Sequence, residues 1–395
     1  MKNITLSMLL VLSLSISTAL ATDGDQMLGI TANQWARAGA IIAAPADIPS
    51  MIYNPAAIGE LKFNKIGFDL SLGILNPPRE ITSVKGTTES SANTYLGMGN
   101  GFSARKSDKI VFGIAAGGVS GMGVDFPYST FPDNPETPFA ENSSIVTKKG
   151  LLKITPTVAI NVNEKLTIGA SLQIGQQSLA LKTAGFTLPQ TEEYGFGGAL
   201  GAIYHITPKL QAGISYTSEM NISEYSYNGT SPSAGEGEYK FDMDSPQNVS
   251  FGLAFIPNER LLVEADVRWY NFSGVLDKLD LKTPSGGVIP ITFGWDDQMV
   301  YALGMDFAVK PGLVLKAGYN YGESPIGEED VDSNLGSIAV VEHHFSIGVA
   351  KNWNKALCST LSYTHGLHNE VESNKSPNKI AAEQNIVFLQ FSFRM

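Results

Sequence analysis

Apolar and polar residues alternate along most of this 395-residue chain. From Ile66 to Ile74, Ile66, Phe68, Leu70, Leu72 and Ile74 share one face, opposite Gly67, Asp69, Ser71 and Gly73. Between Leu261 and Phe272, Val263, Ala265, Val267 and Trp269 alternate with Glu264, Asp266 and Arg268. A period of two predicts strands. A row of charges opposite a row of apolar residues fits strands with lipid on one face and a polar lumen on the other. A soluble β-sandwich also alternates, so the pattern alone leaves both open.

The spacing of polar breaks separates them. Very short breaks fall at Ser107-Asp108, Asn163-Glu164, Pro208-Lys209, Asn258-Glu259, Pro311-Gly312 and Asn354-Lys355, roughly every fifty residues. Between them lie long polar segments, 125–144, 219–245, 273–296, 323–337 and 366–383. Short turns at one end and long loops at the other are the sidedness of a bacterial outer-membrane barrel. Six short turns, each joining two strands, give twelve strands, and a first and last strand make fourteen. The expected fold is therefore all-β, a 14-stranded antiparallel transmembrane β-barrel with both termini on the periplasmic side. At the C-terminus Val387, Leu389, Phe391, Phe393 and Met395 alternate with Phe388, Gln390, Ser392 and Arg394. This resembles the aromatic last strand recognised by the barrel-assembly machinery, which is an expected partner during biogenesis.

Composition agrees. Hydrophobic residues make up 43% and charged residues only 16%, with 40 glycines, whereas soluble domains carry about a quarter charged residues. Lys2, the apolar run Leu6 to Ile16 and Ala19-Leu20-Ala21 read as a secretory signal over 1–21,. Removing it takes one lysine and no acid, which moves the formal charge from −11 to −12 and argues against nucleic acid as a partner,. The single cysteine, Cys358, has no internal disulfide partner.

A barrel of this size leaves a lumen unless something fills it. Residues 22–60 do not alternate and carry Trp35, Ile41, Ile42, Met51 and Ile52, too apolar for a free tail,. Thr31 to Gly39 reads as a short helix ended by glycine, followed by the small-residue run Ala40 to Ala46. In Tyr53-Asn54-Pro55-Ala56-Ala57-Ile58-Gly59, Asn54 suits an N-cap, Pro55 a first helical position and Gly59 an end,. The expected domains are a signal peptide at 1–21, a small helical hatch inside the lumen at 22–60, and the barrel at 61–395.

Four segments resemble one family. Arg37-Ala38-Gly39-Ala40 with Tyr53-Asn54-Pro55-Ala56 is similar to the hatch signature of the FadL/TodX (OMPP1) outer-membrane transporters. Leu315 to Ile326, Asn248 to Ser273 and Val340-Val341-Glu342-His343-His344 match in the right order across the second half of the chain. The resemblance implies passive uptake of a hydrophobic molecule, foremost a long-chain fatty acid, at the outer membrane of a Gram-negative bacterium. Capture by outer loops is followed by movement of the hatch and sideways release into outer-membrane lipid beside a kinked third strand. Sideways release is sensible, because each CH₂ exposed to water costs about 0.8 kcal/mol. Uptake of an aromatic or other neutral hydrocarbon of the TodX type is the alternative, and a non-specific porin or adhesin a further one.

The residues expected to act follow from this. Tyr53, Asn54, Pro55 and Ala56 form the hatch gate. The third strand, Ile110 to Val124, contains Gly113, Gly117, Gly118, Gly121 and Gly123; glycines mark bulges and close approaches. Gly117, Gly118 and Gly121 are placed at the lateral opening, with Gly117 and Gly118 opposite Asn54 and Pro55. By alternation Arg268, Lys316 and His344 point inward and are the candidate ligand contacts, Arg268 being equally well neutralised by Glu264 or Asp266. His343 and His344 face opposite sides of a strand and do not share an ion. No nucleophile–histidine pair is visible, so neither catalytic residues, metal nor cofactor is expected, and the protein is expected to be a monomer. A phospholipase is the alternative of another class.

Overall fold

The computed structural model describes residues 23–126, 144–183, 186–231 and 234–395. The expected signal peptide, 1–21, and nearly all of the loop 125–144 lie outside them. Fourteen long strands form the wall. They are β1 Ile66–Asn76, β2 Tyr95–Arg105, β3 Ile110–Phe126, β4 Ile145–Asn161, β5 Leu166–Thr183, β6 Phe186–Thr207 and β7 Leu210–Thr217. The second half comprises β8 Asn248–Asn258, β9 Leu261–Tyr270, β10 Gln298–Lys310, β11 Leu313–Gly322, β12 His343–Asn352, β13 Leu357–Glu372 and β14 Lys379–Arg394. Each pairs antiparallel with the next. β14 returns to β1 from Gly67↔Arg394 to Asn76↔Asn385, which closes the barrel and removes its edges,. The strand count and the six short turns read from the sequence are those of the structure.

The two faces separate as the alternation requires. Phe68, Leu72 and Ile74 on β1, Phe251, Leu253 and Phe255 on β8, and Leu389, Phe391 and Phe393 on β14 are exposed on the outside. Asp69, Ser71, Glu264, Asp266, Arg268 and Gln390 are buried inside. Short strands extend the wall above the long connections. Arg79–Ser83 pairs with β14 and with Gly86–Glu89, and Asn221–Ile222 pairs with β6. Two hairpins, Tyr225–Ser231 with Gly235–Phe241 and Lys278–Lys282 with Val288–Thr292, meet in a separate four-stranded sheet.

Residues 23–60 run inside the barrel. Helix α1, Ala32–Ala36, is capped by Thr31, whose Oγ1 accepts from the Gln34 N–H at 3.3 Å. A single 3₁₀ turn, Ile48–Ile52, is capped by Asp47 and Ser50 reciprocally. Helix α2, Ala57–Glu60, follows the proline turn. Helices of four or five residues do not stand alone in water, so the barrel supplies their stability. Trp35, Ile41, Ile42 and Met51 are fully buried and Trp35 stacks on Phe388 of β14. The sequence reading ends the second turn at Gly59, but Gly59 lies within α2. A Cβ there would meet Thr167 Cγ2 at 2.5 Å and Asn161 Oδ1 at 2.7 Å, so the position requires glycine for packing against the wall.

That is one case of a general arrangement. Inward-facing glycines on many strands let the inner segment approach to backbone contact. A Cβ on Gly113 of β3 would meet Met51 Cε at 2.7 Å, and one on Gly169 of β5 would meet Pro55 O at 2.5 Å. On Gly213 of β7 it would meet Ala43 Cα at 2.7 Å, and on Gly318 of β11 Ala38 N at 2.6 Å. The glycine content that reads as general barrel composition is thus also a seat. Because the neighbours of Gly213 are all backbone rather than flexible side-chain ends, a Gly213→Leu variant is expected to lose about 1–3 kcal/mol through overpacking. Gly198→Ala, whose Cβ would have Ser171 O as nearest neighbour at 3.7 Å, should be neutral. Denaturant unfolding of the two variants in detergent checks the contrast.

Candidate functional site

One seam of the wall is incomplete. β3 pairs with β2 only from Arg105↔Val111 to Gly99↔Gly117. Beyond that point β2 continues to pair with β1 through Tyr95 to Met98, and β3 continues to pair with β4 through Phe126. The β3–β4 register shifts between Gly118 and Ser120, so Val119 is an extra residue that bends β3 away from β2,. Higher up, the Ser91 N–H donates to Asp125 O at 2.8 Å and the Asp125 N–H to Ser90 Oγ at 2.9 Å. The result is a window, with Tyr95–Met98 on one side, Gly118–Val124 on the other, the Gly99–Gly117 pair as sill and 90–91 with 125 as lintel. Gly117 stands at the sill, and Gly118 and Gly121 lie on the free edge.

The inner segment stands behind this window. The Met27 N–H donates to Val119 O and the Gly121 N–H to Asp25 O, both at 2.9 Å. These bonds use backbone groups of β3 that β2 leaves unpaired. Asp25 Oδ2 accepts from Lys149 Nζ of β4 at 2.6 Å and from Ser120 Oγ at 2.8 Å. Ile30 packs on Gly99 and Gly117.

Tyr53 to Ala56 lie elsewhere. Asn54 Nδ2 donates to Ile42 O at 2.7 Å, and its Oδ1 accepts from the Ala56 N–H at 3.0 Å. Pro55 packs on Gly169 of β5 and Gly201 of β6. The expected juxtaposition of Asn54 and Pro55 with Gly117 and Gly118 is therefore absent, since Ile30 occupies that place. Tyr53 faces inward, its ring 5.3 Å from the Arg268 guanidinium carbon and its hydroxyl donating to Met27 O at 3.3 Å.

The inward charges of β9 to β11 hold the segment. Ala43 and Ala44 donate their N–H groups to Glu264 Oε1 at 2.6 and 2.9 Å, and Ile41 and Ile42 donate theirs to Asp266 Oδ2 at 2.7 and 3.0 Å. Arg37 reaches Asp306 through Nε at 2.9 Å and through a second nitrogen at 2.5 Å, and Lys316 Nζ donates to the same carboxylate at 2.7 Å. Arg268 donates to Gly39 O and lies 3.9 Å from Asp266. Arg268 and Lys316 thus serve the inner segment, although the Arg268 Nε and its other terminal nitrogen have no protein partner. His344 is buried, with Nε2 3.3 Å from Gln384 Oε1, while His343 shares a hydrogen bond with the Tyr319 hydroxyl at 2.8 Å.

Above the segment the interior is apolar. Met122, Val124 and Phe126 of β3 join Tyr270, Phe272, Trp295, Ile326 and Val340, all buried. Phe272 and Trp295 meet edge to face at 5.2 Å, and the Trp295 Nε1 donates to Asn334 Oδ1 at 2.7 Å. At the edge of this apolar cluster, burial pushes the Asp23 carboxyl up to about 7, with Arg268 pulling the other way.

Asp25, Lys149 and Lys153 are absent from the residues picked out by sequence. The signal was present, since Lys149, Leu151 and Lys153 alternate into the lumen beside the glycine-rich strand. Without knowing that β3 parts from β2, nothing marks them out.

A closed fourteen-stranded barrel with an occupied lumen and a side window defines a transport protein of the outer membrane. Residues 13–388 match the model of the outer membrane protein transport protein family, OMPP1/FadL/TodX. The chain belongs to this family of outer-membrane transporters of hydrophobic compounds, which are channels and not enzymes. The Pseudomonas putida toluene transporter TodX has a similar structure, at 18% identity and a TM-score of 0.74 over 96% of this chain and 100% of that one. The Ralstonia pickettii toluene transporter TbuX is similar at 16% identity, with a TM-score of 0.75 over 93% and 99%. A Pseudomonas aeruginosa FadL homologue is similar at 14% identity, with a TM-score of 0.76 over 94% and 99%. At these identities the likeness concerns the fold. A search of curated proteins finds no match.

The Arg37 cluster makes a measurable claim. Removing one partner of a buried ion pair leaves the other uncompensated, at a cost of about 3–5 kcal/mol. Arg37→Met should therefore lower the unfolding free energy by about that amount in detergent, whereas substituting the exposed Lys310 should change it by less than about 0.5 kcal/mol,.

Proposed function

We propose that this chain carries long-chain fatty acids from outside the cell into the outer membrane through the β2–β3 window. The carrying observation is the parting of β3 from β2 above Gly117, with a cluster of buried apolar side chains on its inner side. An acyl chain passing sideways there moves from an apolar interior to lipid without entering water. In this reading residues 22–60 are the hatch and 61–395 the barrel. The Arg37, Glu264, Asp266 and glycine contacts fix most of the hatch, so the moving part is the stretch 23–30 behind the window. Tyr53 to Ala56 then act by seating the hatch and by holding Tyr53 against Arg268 and Met27.

A fatty acid is preferred over a neutral hydrocarbon because, of the two lysines beside the window, Lys149 is paired with Asp25 while Lys153 has no ion pair among the described residues, and the other carboxylate of the stretch, Asp23, faces Arg268. The TodX-type reading finds support in Arg268 and Lys316, whose charges already have protein partners. Leucines at both Gly117 and Gly118 should abolish fatty-acid uptake in a host lacking its own fatty-acid channel, while the barrel still assembles as judged by its folded band in unheated electrophoresis. Full uptake by that variant would overturn the window as the exit.

A further inference from the structure

Lys153 lies on β4 opposite Gly117 of β3 and Gly175 of β5, four residues beyond Lys149 on the same inward face. It is 5% exposed and takes part in no hydrogen bond or ion pair of the described residues. Gln173, one inward position from Gly175 on β5, is fully buried, and neither its amide oxygen nor its nitrogen has a partner among the described residues. The hydroxyl of Ser171, the next inward residue, has none among them either. The glycines around them are filled from the lumen side, Gly117 by Ile30, Gly113 by Met51, and Gly175 and Gly195 by Met220, so the cover over the lysine comes from Ile30 of the inner segment and from Met220 rather than from the wall.

Two cations and two further polar side chains thus share the inward face of β4 and β5 just inside the sill of the window. One carboxylate is seated at the upper end of the patch. Asp25 accepts from Lys149, Ser120 and Gln26, and its own backbone carbonyl is bonded to Gly121 on the free edge of β3. The carboxylate and the backbone that closes the window belong to the same residue.

We propose that Asp25 is a resident stand-in for an anionic cargo head group. A carboxylate arriving through the apolar interior binds Lys153 and Gln173, takes Lys149 from Asp25, and so frees residues 25–27 from β3. The site recognises a monoanionic head on an apolar chain, with ammonium and amide N–H donors to its oxygens, and release of the window is coupled to that recognition. A neutral compound lacks this lever and passes only when the latch opens spontaneously. The proposal rests on the fatty-acid reading given above.

The test compares a radiolabelled long-chain saturated carboxylate with the alcohol of the same chain, using full-length protein in cells of a channel-deficient host. Wild-type protein should take up the carboxylate at least tenfold faster than the alcohol. Asp25→Asn, which keeps the shape but loosens the latch, should raise alcohol uptake severalfold and narrow that ratio. Lys153→Met should lower carboxylate uptake about tenfold and leave alcohol uptake unchanged, and Lys153→Arg should restore the carboxylate. A Gln26→Cys/Ser120→Cys pair, in a Cys358→Ser background, should block both compounds when oxidised and release both on reduction.

If wild-type protein takes up neither compound, the fatty-acid reading itself fails. If it takes up the carboxylate and the Asp25 and Lys153 variants keep its rate and its ratio, the stand-in role is overturned. Poor folding is separated from lost function by the folded band in unheated electrophoresis and by retained alcohol uptake.

Discussion

Four consecutive backbone N–H groups, from Ile41 to Ala44, point at two carboxylates on the wall of the barrel. Inside a low-dielectric lumen an unmet donor or an unpaired carboxylate is costly. Here all four donors are met, by one oxygen of each carboxylate, and the rest of the arrangement depends on it. Glu264 and Asp266 on β9 require the turn 41–44 to sit at one height and one angle. That placement brings Arg37 to Asp306, which Lys316 also holds. It also puts residues 42 and 43 against Gly213 and Gly252, close enough that only glycine fits. Charge fixes the register of the inner segment and glycine lets it approach.

A consequence is that the inner segment has two mechanically different parts. From about residue 31 to residue 60 it is joined to the wall by buried ion pairs, caps and backbone contacts, and at its end Glu60 meets His205 at 2.7 Å. From Asp25 to Met27 it is held by two backbone hydrogen bonds to β3 and by one carboxylate, which meets Ser120 of β3 and Lys149 of β4. A local opening draws on the least stabilised element, and here that element covers the window. In the function proposed above, transport needs no large displacement of the lumen contents, only the release of a few residues from an edge that a neighbouring strand has left vacant.

Much of this was legible in the chain. Alternation in Ile66–Ile74 and in Val263–Trp269, with polar breaks at regular spacing, determined the strand count and the sidedness. Trp35, Ile41 and Met51 marked a segment that had to be buried somewhere. The roles within the lumen were less legible, because they depend on which residues of distant strands share a height. Arg268 and Lys316 point inward as alternation predicts, yet their partners, Gly39 and Asp306, are set by the seating of the inner segment. Asn54 and Pro55 sit against β5 and β6 because the path from Ala44 to Glu60 turns that way, and no local signal records the turn. The glycines of β3 announced a bend but not that Asp25 would occupy the space it opens.

The central claim is that the segment moves only at its N-terminal end while the turn at 41–44 stays in place. Amide hydrogen exchange followed by mass spectrometry, on protein in lipid nanodiscs with and without a saturating long-chain carboxylate, tests it directly. The account predicts faster exchange over residues 25–30 when the carboxylate is present, with Ile41 to Ala44 protected throughout. Exchange rising together over 25–30 and 41–44 would mean that the whole segment leaves its seat, and would contradict it.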